Sequence, residues 1–204
     1  MPIEAMVSDL GQVLLPFDTR RVWERLLAAC SVSEEEMRRE HNEAFRALRF
    51  DIGGCSGEAF HARLVERCGL RLSYEQFCTA WSDMFWEDRD VIRLIHQAPV
   101  RWRILLSNTN CIHWDFIRER YGHVLTPFDR CLVSHQCGLR KPDPAIFRRV
   151  IAETGLPPNR HLFIDDMEEN VLAARAVGMD AIAHTGSEAL ARALAERGLS
   201  PPLR

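Results

Sequence analysis

Five short apolar runs constrain what this chain can fold into more than any other feature. They are Ala5-Met6-Val7, Ile104-Leu105-Leu106, Cys131-Leu132-Val133, Leu162-Phe163-Ile164 and Ala181-Ile182-Ala183. Runs this short, without polar alternation, fit strands buried on both faces, which is the condition of a parallel sheet. Helical patterns over 110–121, 143–154, 168–177 and 187–197 separate the later runs. Strand and helix in alternation predict a doubly wound parallel α/β sheet, with residues 3–9 as its first strand. Asp143 and Pro144 suit the cap and first turn of a helix, and Gly155 and Gly178 are placed to stop one.

Residues 16–88 break that rhythm. They hold no convincing strand, and helical patterns fall near 18–30, 33–49, 57–68 and 73–85. Gly53-Gly54 separates two of these, and Ser56 can cap the third. The predicted organisation is therefore a core of residues 1–15 and 89–204 with a small helical cap, 16–88, inserted after the first strand. Placed over the carboxyl edge of the sheet, such a cap would exclude water and choose the substrate.

The chain has 204 residues, 47% of them apolar, enough for one domain or one domain with an insertion. A formal net charge of -3 without a basic stripe argues against nucleic acid as a partner. The seven cysteines are odd in number and scattered, and none forms a C-x-x-C pair, so neither a zinc site nor a disulfide framework is expected. No run approaches bilayer length and no signal peptide is evident, so no membrane partner is expected and the cytoplasm is the default expectation. Oligomeric state is not legible.

In an open α/β sheet the ligand sits beyond the carboxyl ends of the strands. Four polar clusters would converge there: Ser8-Asp9-Leu10-Gly11-Gln12, Ser107-Asn108-Thr109-Asn110, Arg140-Lys141-Pro142-Asp143 and Asp165-Asp166. Together they supply three carboxylates, an amine, a hydroxyl and an amide, an inventory for a divalent cation and a phosphoryl group. A carboxylate such as Asp9 can attack phosphorus through one oxygen and hold a metal through the other. Asp165 and Asp166 repel each other unless a cation or proton relieves them, and Mg²⁺ takes oxygen ligands. Lys141 is a point charge suited to phosphate, and Ser107 with nearby backbone N–H groups can clamp phosphate oxygens. Each residue also has a plainer reading. Asp9 and Ser107 suit turns, Lys141 suits a solvated loop, and Asp166 could cap the helix over 168–177, with Glu169 three residues on.

In their order and placement these clusters resemble the haloacid dehalogenase superfamily over essentially the whole chain. The first motif of that family matches Asp9-Leu10-Gly11-Gln12-Val13-Leu14, the second Ser107, the third Lys141, and the fourth Asp165-Asp166 followed by Asn170. The resemblance implies Asp9 as nucleophile, Lys141 as a second catalytic group, and phosphate bound by Ser107, Asn108 and Lys141. It also implies Mg²⁺ held by Asp9, the Gly11 carbonyl, Asp165 and Asp166. A narrower likeness, to the alpha-D-glucose-1-phosphate phosphatase-like subgroup, lies in Leu105-Ser107-Asn108-Thr109-Asn110, Gly138-Leu139-Arg140-Lys141-Pro142, and the insert segments Asn42-Glu43-Ala44-Phe45 and Ser56-Gly57-Glu58-Ala59-Phe60.

One departure matters. Most phosphatases of the superfamily carry a second Asp two residues after the nucleophile, as general acid and base, and here that position is Gly11. Losing such a group costs roughly 10²–10⁴ in rate, less when the leaving oxygen has a low pKa. The anomeric oxygen of a sugar 1-phosphate is such a group, so the expected substrate is a small sugar phosphate. The competing readings are a metal-independent 2-haloacid dehalogenase, for which only Arg20 and Arg21 offer a nearby cation, a phosphomutase, and a catalytically idle scaffold binding a partner through its cap. His113, His135 and His184 are substitute acids with uninformative spacing. Trp81, Phe85 and Trp86 read as an aromatic cluster closing the insert, more a packing feature than a sugar platform.

Overall fold

The computed structural model describes residues 2–200. Five parallel strands form one sheet in the order β3-β2-β1-β4-β5. They are β1 (Ala5–Ser8), β2 (Trp102–Ser107), β3 (Arg130–Val133), β4 (His161–Asp165) and β5 (Asp180–Ala183). The chain fills one side of β1 with β2 and β3 and the other with β4 and β5, so the order in which strands are added reverses at β1. In such sheets the ligand crevice opens at this reversal. β1 and β4 are buried along their full length, which is why both read as unbroken apolar runs.

The helices are α1 (Arg20–Ala28), α2 (Glu34–Ala47), α3 (Gly57–Cys68), α4 (Tyr74–Ser82), α5 (Arg89–Gln97), α6 (Cys111–Arg120), α7 (Gly122–Leu125), α8 (Ser134–Cys137), α9 (Pro144–Thr154), α10 (Glu168–Ala176) and α11 (Ser187–Glu196). Successive strand residues alternate between two cores. Met6, Leu105, Leu162 and Ile164 pack with α5, α6 and α11 through Ile95, Ile117 and Leu194. Val7, Ile104, Leu106 and Phe163 pack with α9 and α10 through Phe147 and Val171 on the opposite face. Asp143 caps α9 by accepting from the Ala145 N–H, and Gly155 closes it with φ of 67°.

Helix α5 was not expected from sequence. Its signals are Asp88, which accepts from the Val91 N–H, and apolar Val91, Leu94 and Ile95 at helical spacing. The short helices α7 and α8 were also unexpected, and β1 is shorter than residues 3–9.

Helices α1 to α4 and a 3-10 turn at Phe50–Ile52 make up the insert between β1 and α5. Ser33, Ser56 and Ser73 cap α2, α3 and α4 through their side chains. The insert has its own core, in which Trp81 stacks on Phe60 and Phe77 with ring centroids 5.2 Å apart. Among the described residues 20–85 no strand occurs. The only sheet-like pairing there is a single bridge between Phe17 and Phe85 at the insert's root. The segments entering and leaving the insert run side by side, tied by Trp86 N–H to Pro16 O at 3.0 Å and Asp88 N–H to Leu14 O at 3.0 Å. At the far end the 3-10 turn docks on the core. Ser134 Oγ donates to the Asp51 carbonyl and Arg140 pairs with the Asp51 carboxylate. Held at root and tip, the insert roofs the carboxyl ends of β1 and β2.

Candidate active site

β1, β2 and β4 lie adjacent, so their carboxyl ends bring Asp9, Ser107 and Asp165 together. The Asp9 N–H continues the ladder, donating to Ile164 O at 2.9 Å, before the chain turns away. One carboxylate oxygen from each of Asp9, Asp165 and Asp166 lies within 4.8 Å of the others.

Lys141, only 1% exposed, enters this cluster from the loop before α9. Its Nζ lies 2.7 Å from Asp9 Oδ1 and 2.7 Å from Asp165 Oδ2, and donates to Leu106 O at 2.9 Å. All three ammonium protons are thus engaged, so Lys141 orients two carboxylates at once. Asp9 Oδ1 also accepts from the Leu10 N–H at 2.8 Å. Among the described residues Asp9 Oδ2 takes no hydrogen bond.

Asp165 is buried and heavily engaged. Its Oδ1 accepts from the Met167 N–H and from Asn170 Nδ2, both at 2.9 Å. Asp166 is exposed at the cluster's edge. The helix-cap reading of Asp166 does not hold: the residue before α10 is Met167, and Asp165 takes its N–H. Burial pushes the Asp9 carboxyl up to about 6; Lys141 pulls it down and Asp165 pushes it up. Burial and Asp165 also raise Asp166. Three carboxylates thus share one ammonium, and their oxygen-only donor set suits a hard divalent cation.

The Asn108 side chain has a structural task of its own. Its Nδ2 donates to the Lys141 carbonyl and its Oδ1 accepts from the Lys141 N–H, both at 2.9 Å. The side chain clamps the Lys141 backbone, which leaves the Asn108 N–H as its group for a phosphate oxygen. Asn108→Ala should therefore lower the unfolding free energy by about 1–3 kcal/mol, two hydrogen bonds' worth, in a urea melt.

Gly11 does not hold a left-handed backbone; the residue with φ of 55° is Gln12. A Cβ at Gly11 would lie 3.1 Å from Phe17 Cε1, so even a methyl group there requires that ring to shift by a few tenths of an ångström. Of the three histidines, only His113 lines the cavity above the carboxylates. Its Nδ1 accepts from Asn110 Nδ2 at 3.1 Å and its Nε2 donates to Trp81 O at 3.3 Å. Burial lowers it to about 4, so it is neutral and engaged. The expected aromatic cluster divides. Trp81 and Phe85 line the cavity, whereas Trp86 is 49% exposed elsewhere. The sequence reading missed Phe17, Trp23 and Met84 as cavity residues, because aromatic and apolar residues in helical insert segments look the same whether they face a core or a cavity.

The sequence profile of the haloacid dehalogenase-like hydrolases matches residues 3–178, and the chain belongs to this family. It is 26% identical over 188 residues to a D-ribitol-5-phosphate phosphatase of Bacteroides thetaiotaomicron, a match covering 87% of this chain and 90% of that one. A haloacid dehalogenase family enzyme from the same organism, solved with magnesium and inorganic phosphate, has a TM-score of 0.77 and 26% identity over 92% of this chain and 98% of that one. A predicted HAD-like family hydrolase from Porphyromonas gingivalis has a TM-score of 0.81 and 28% identity over 96% of this chain and 98% of that one. These similarities establish the family but not the glucose-1-phosphate phosphatase-like subgroup.

Proposed function

We propose that the chain is a Mg²⁺-dependent phosphomonoesterase that works through an aspartyl phosphate on Asp9. The observation that carries this reading is the gathering of three carboxylates within 4.8 Å, two of them paired with a single buried ammonium. The relative solved with magnesium and inorganic phosphate supports it. Asp9, the Gly11 carbonyl and Asp166 would hold the metal, with Asp165 behind them, and the metal would neutralise charge on the phosphoryl oxygens.

Asp9 Oδ2 bonds to phosphorus as the bond from phosphorus to the alcohol oxygen breaks, and the departing alkoxide takes a proton from solvent. Water then attacks the same phosphorus, and the Asp9–phosphate bond breaks to release inorganic phosphate. Ser107 Oγ and the Asn108 N–H hold phosphoryl oxygens, while Lys141 keeps Asp9 oriented and offsets its charge. Residues 1–15 and 89–204 form the catalytic core in this reading, and 16–88 form the cap that covers the substrate. Among the described residues no helix is long and apolar enough to cross a membrane. The cytoplasm remains the compartment proposed.

A second, finer reading is a sugar or polyol phosphate substrate, including a sugar 1-phosphate. The D-ribitol-5-phosphate phosphatase relative favours a polyol phosphate, whereas Gly11, which supplies no acid, favours the better leaving group of a sugar 1-phosphate.

The test is phosphate release from p-nitrophenyl phosphate. Chelation should lower the rate at least about 100-fold, and magnesium should restore it. Full activity in excess chelator, with halide released from a 2-haloacid, would favour the dehalogenase reading. Absence of both activities would favour the idle scaffold.

A further inference from the structure

The cavity above Asp9 has about 400 Å³ of room, and the core and insert wall it together. Its insert side is apolar and largely aromatic: Phe17, Trp23, Phe45, Trp81, Met84 and Phe85. Trp81 belongs to the insert core, but Phe17, Trp23, Phe45 and Phe85 are only half-buried and so keep surface for a ligand.

Polar groups on that side are few and mostly engaged. Asp51 is paired with Arg140, and Gln12 Nε2 donates to Phe17 O at 3.1 Å. His113 is held between Asn110 and Trp81 O. His41 meets Asn42 through Nδ1, and its buried Nε2 has no partner. Thr19 and Gln12 are exposed. Burial lowers both His41 and His113 to about 4, so neither ring is charged near neutral pH. Among the described insert residues, the only carboxylate or cation lining the cavity is the paired Asp51.

A polyol carries a hydroxyl on nearly every carbon, and each one buried without a partner is unfavourable. This wall leaves one unpartnered buried polar atom, His41 Nε2, against several rings. We infer, against the second of the two readings above, that the alcohol half of the substrate is apolar, a compact aromatic or cycloaliphatic group, rather than a sugar or polyol. The inference rests on the phosphomonoesterase reading and fixes its substrate class. Its occupant is set by continuity, because the apolar wall and Asp9 share one cavity.

The experiment compares kcat/KM of the wild-type enzyme, with saturating magnesium, for phenethyl and cyclohexylmethyl phosphate against glycerol phosphate and ribitol 5-phosphate. The neighbouring hydroxyls make the polyols the better leaving groups, so leaving-group acidity works against the expected result. Burial of one Phe- or Leu-sized group predicts an advantage of about ten- to a hundredfold for the apolar esters. Phe45→Gln should shrink that ratio at least about fivefold, a circular dichroism melt confirming the fold. Equal or faster magnesium-dependent turnover of the polyol phosphates would overturn the inference while leaving the phosphomonoesterase reading intact. No magnesium-dependent turnover of any ester would overturn both.

Discussion

Asp9→Asn should lower kcat by roughly 10⁴- to 10⁶-fold while leaving the protein folded. The amide keeps the acceptor for the Leu10 N–H but has no carboxylate oxygen to bond to phosphorus. The same substitution should stabilise the metal-free protein. Burial raises the Asp9 carboxyl from 3.8 to about 6, so the folded state binds its proton more tightly than the unfolded chain does. Stability is then lost as pH rises from about 4 to about 6, and the ionised group costs the folded state up to about 3 kcal/mol above that window. Asn carries no such charge. Urea melts in chelator should show the wild type losing stability across this window and Asp9→Asn losing less, ending more stable near pH 7. An Asp9→Asn variant that is less stable near pH 7 would contradict the electrostatic half of this account, and one that retains activity within tenfold of wild type would contradict the nucleophilic half.

Lys141→Met should act on stability and turnover together. Met roughly matches the aliphatic stem but removes the only ammonium between Asp9 and Asp165. Asp165 is fully buried, so it would keep its hydrogen bonds from Met167 and Asn170 and lose its counter-charge. Breaking a buried pair by removing one partner costs about 3–5 kcal/mol. Turnover should fall about 10³-fold, because Asp9 loses the contact that orients it and offsets its charge. Saturating magnesium should recover part of the stability and little of the rate. A stability loss below about 1 kcal/mol would show that the carboxylates do not depend on this ammonium.

The sheet was legible because burial on both faces leaves a plain mark, short runs with no polar alternation. The convergence of the strand ends was legible because strand-end polar residues must meet for their chemistry to make sense. Asp9, Lys141, Asp165 and Asp166 do come together, although they are spread over more than 150 residues of sequence. What was not legible follows from the same physics. Nothing local in the sequence shows that both amide atoms of Asn108 clamp the Lys141 backbone, 33 residues away. Nothing in the sequence marks Gln12 as the left-handed residue of the turn, a conformation that non-glycine residues adopt less often. Helix α5 was overlooked because its apolar stripe is short, Val91, Leu94 and Ile95 among charged neighbours. The cavity wall was the least legible of all, since Trp23 and Phe45 sit on different helices and meet only through tertiary packing.

The central claim is covalent chemistry at Asp9, and an acid-quenched phosphoenzyme tests it most directly. Enzyme mixed with magnesium and a phosphomonoester, quenched in acid during turnover and digested, should yield a phosphorylated peptide spanning Asp9. The modification should be removed by hydroxylamine, as an acyl phosphate requires, and should be absent from Asp9→Asn. Magnesium-dependent turnover with no phosphopeptide at any quench time and inversion at phosphorus, or a phosphopeptide that lies elsewhere or persists in Asp9→Asn, would contradict it.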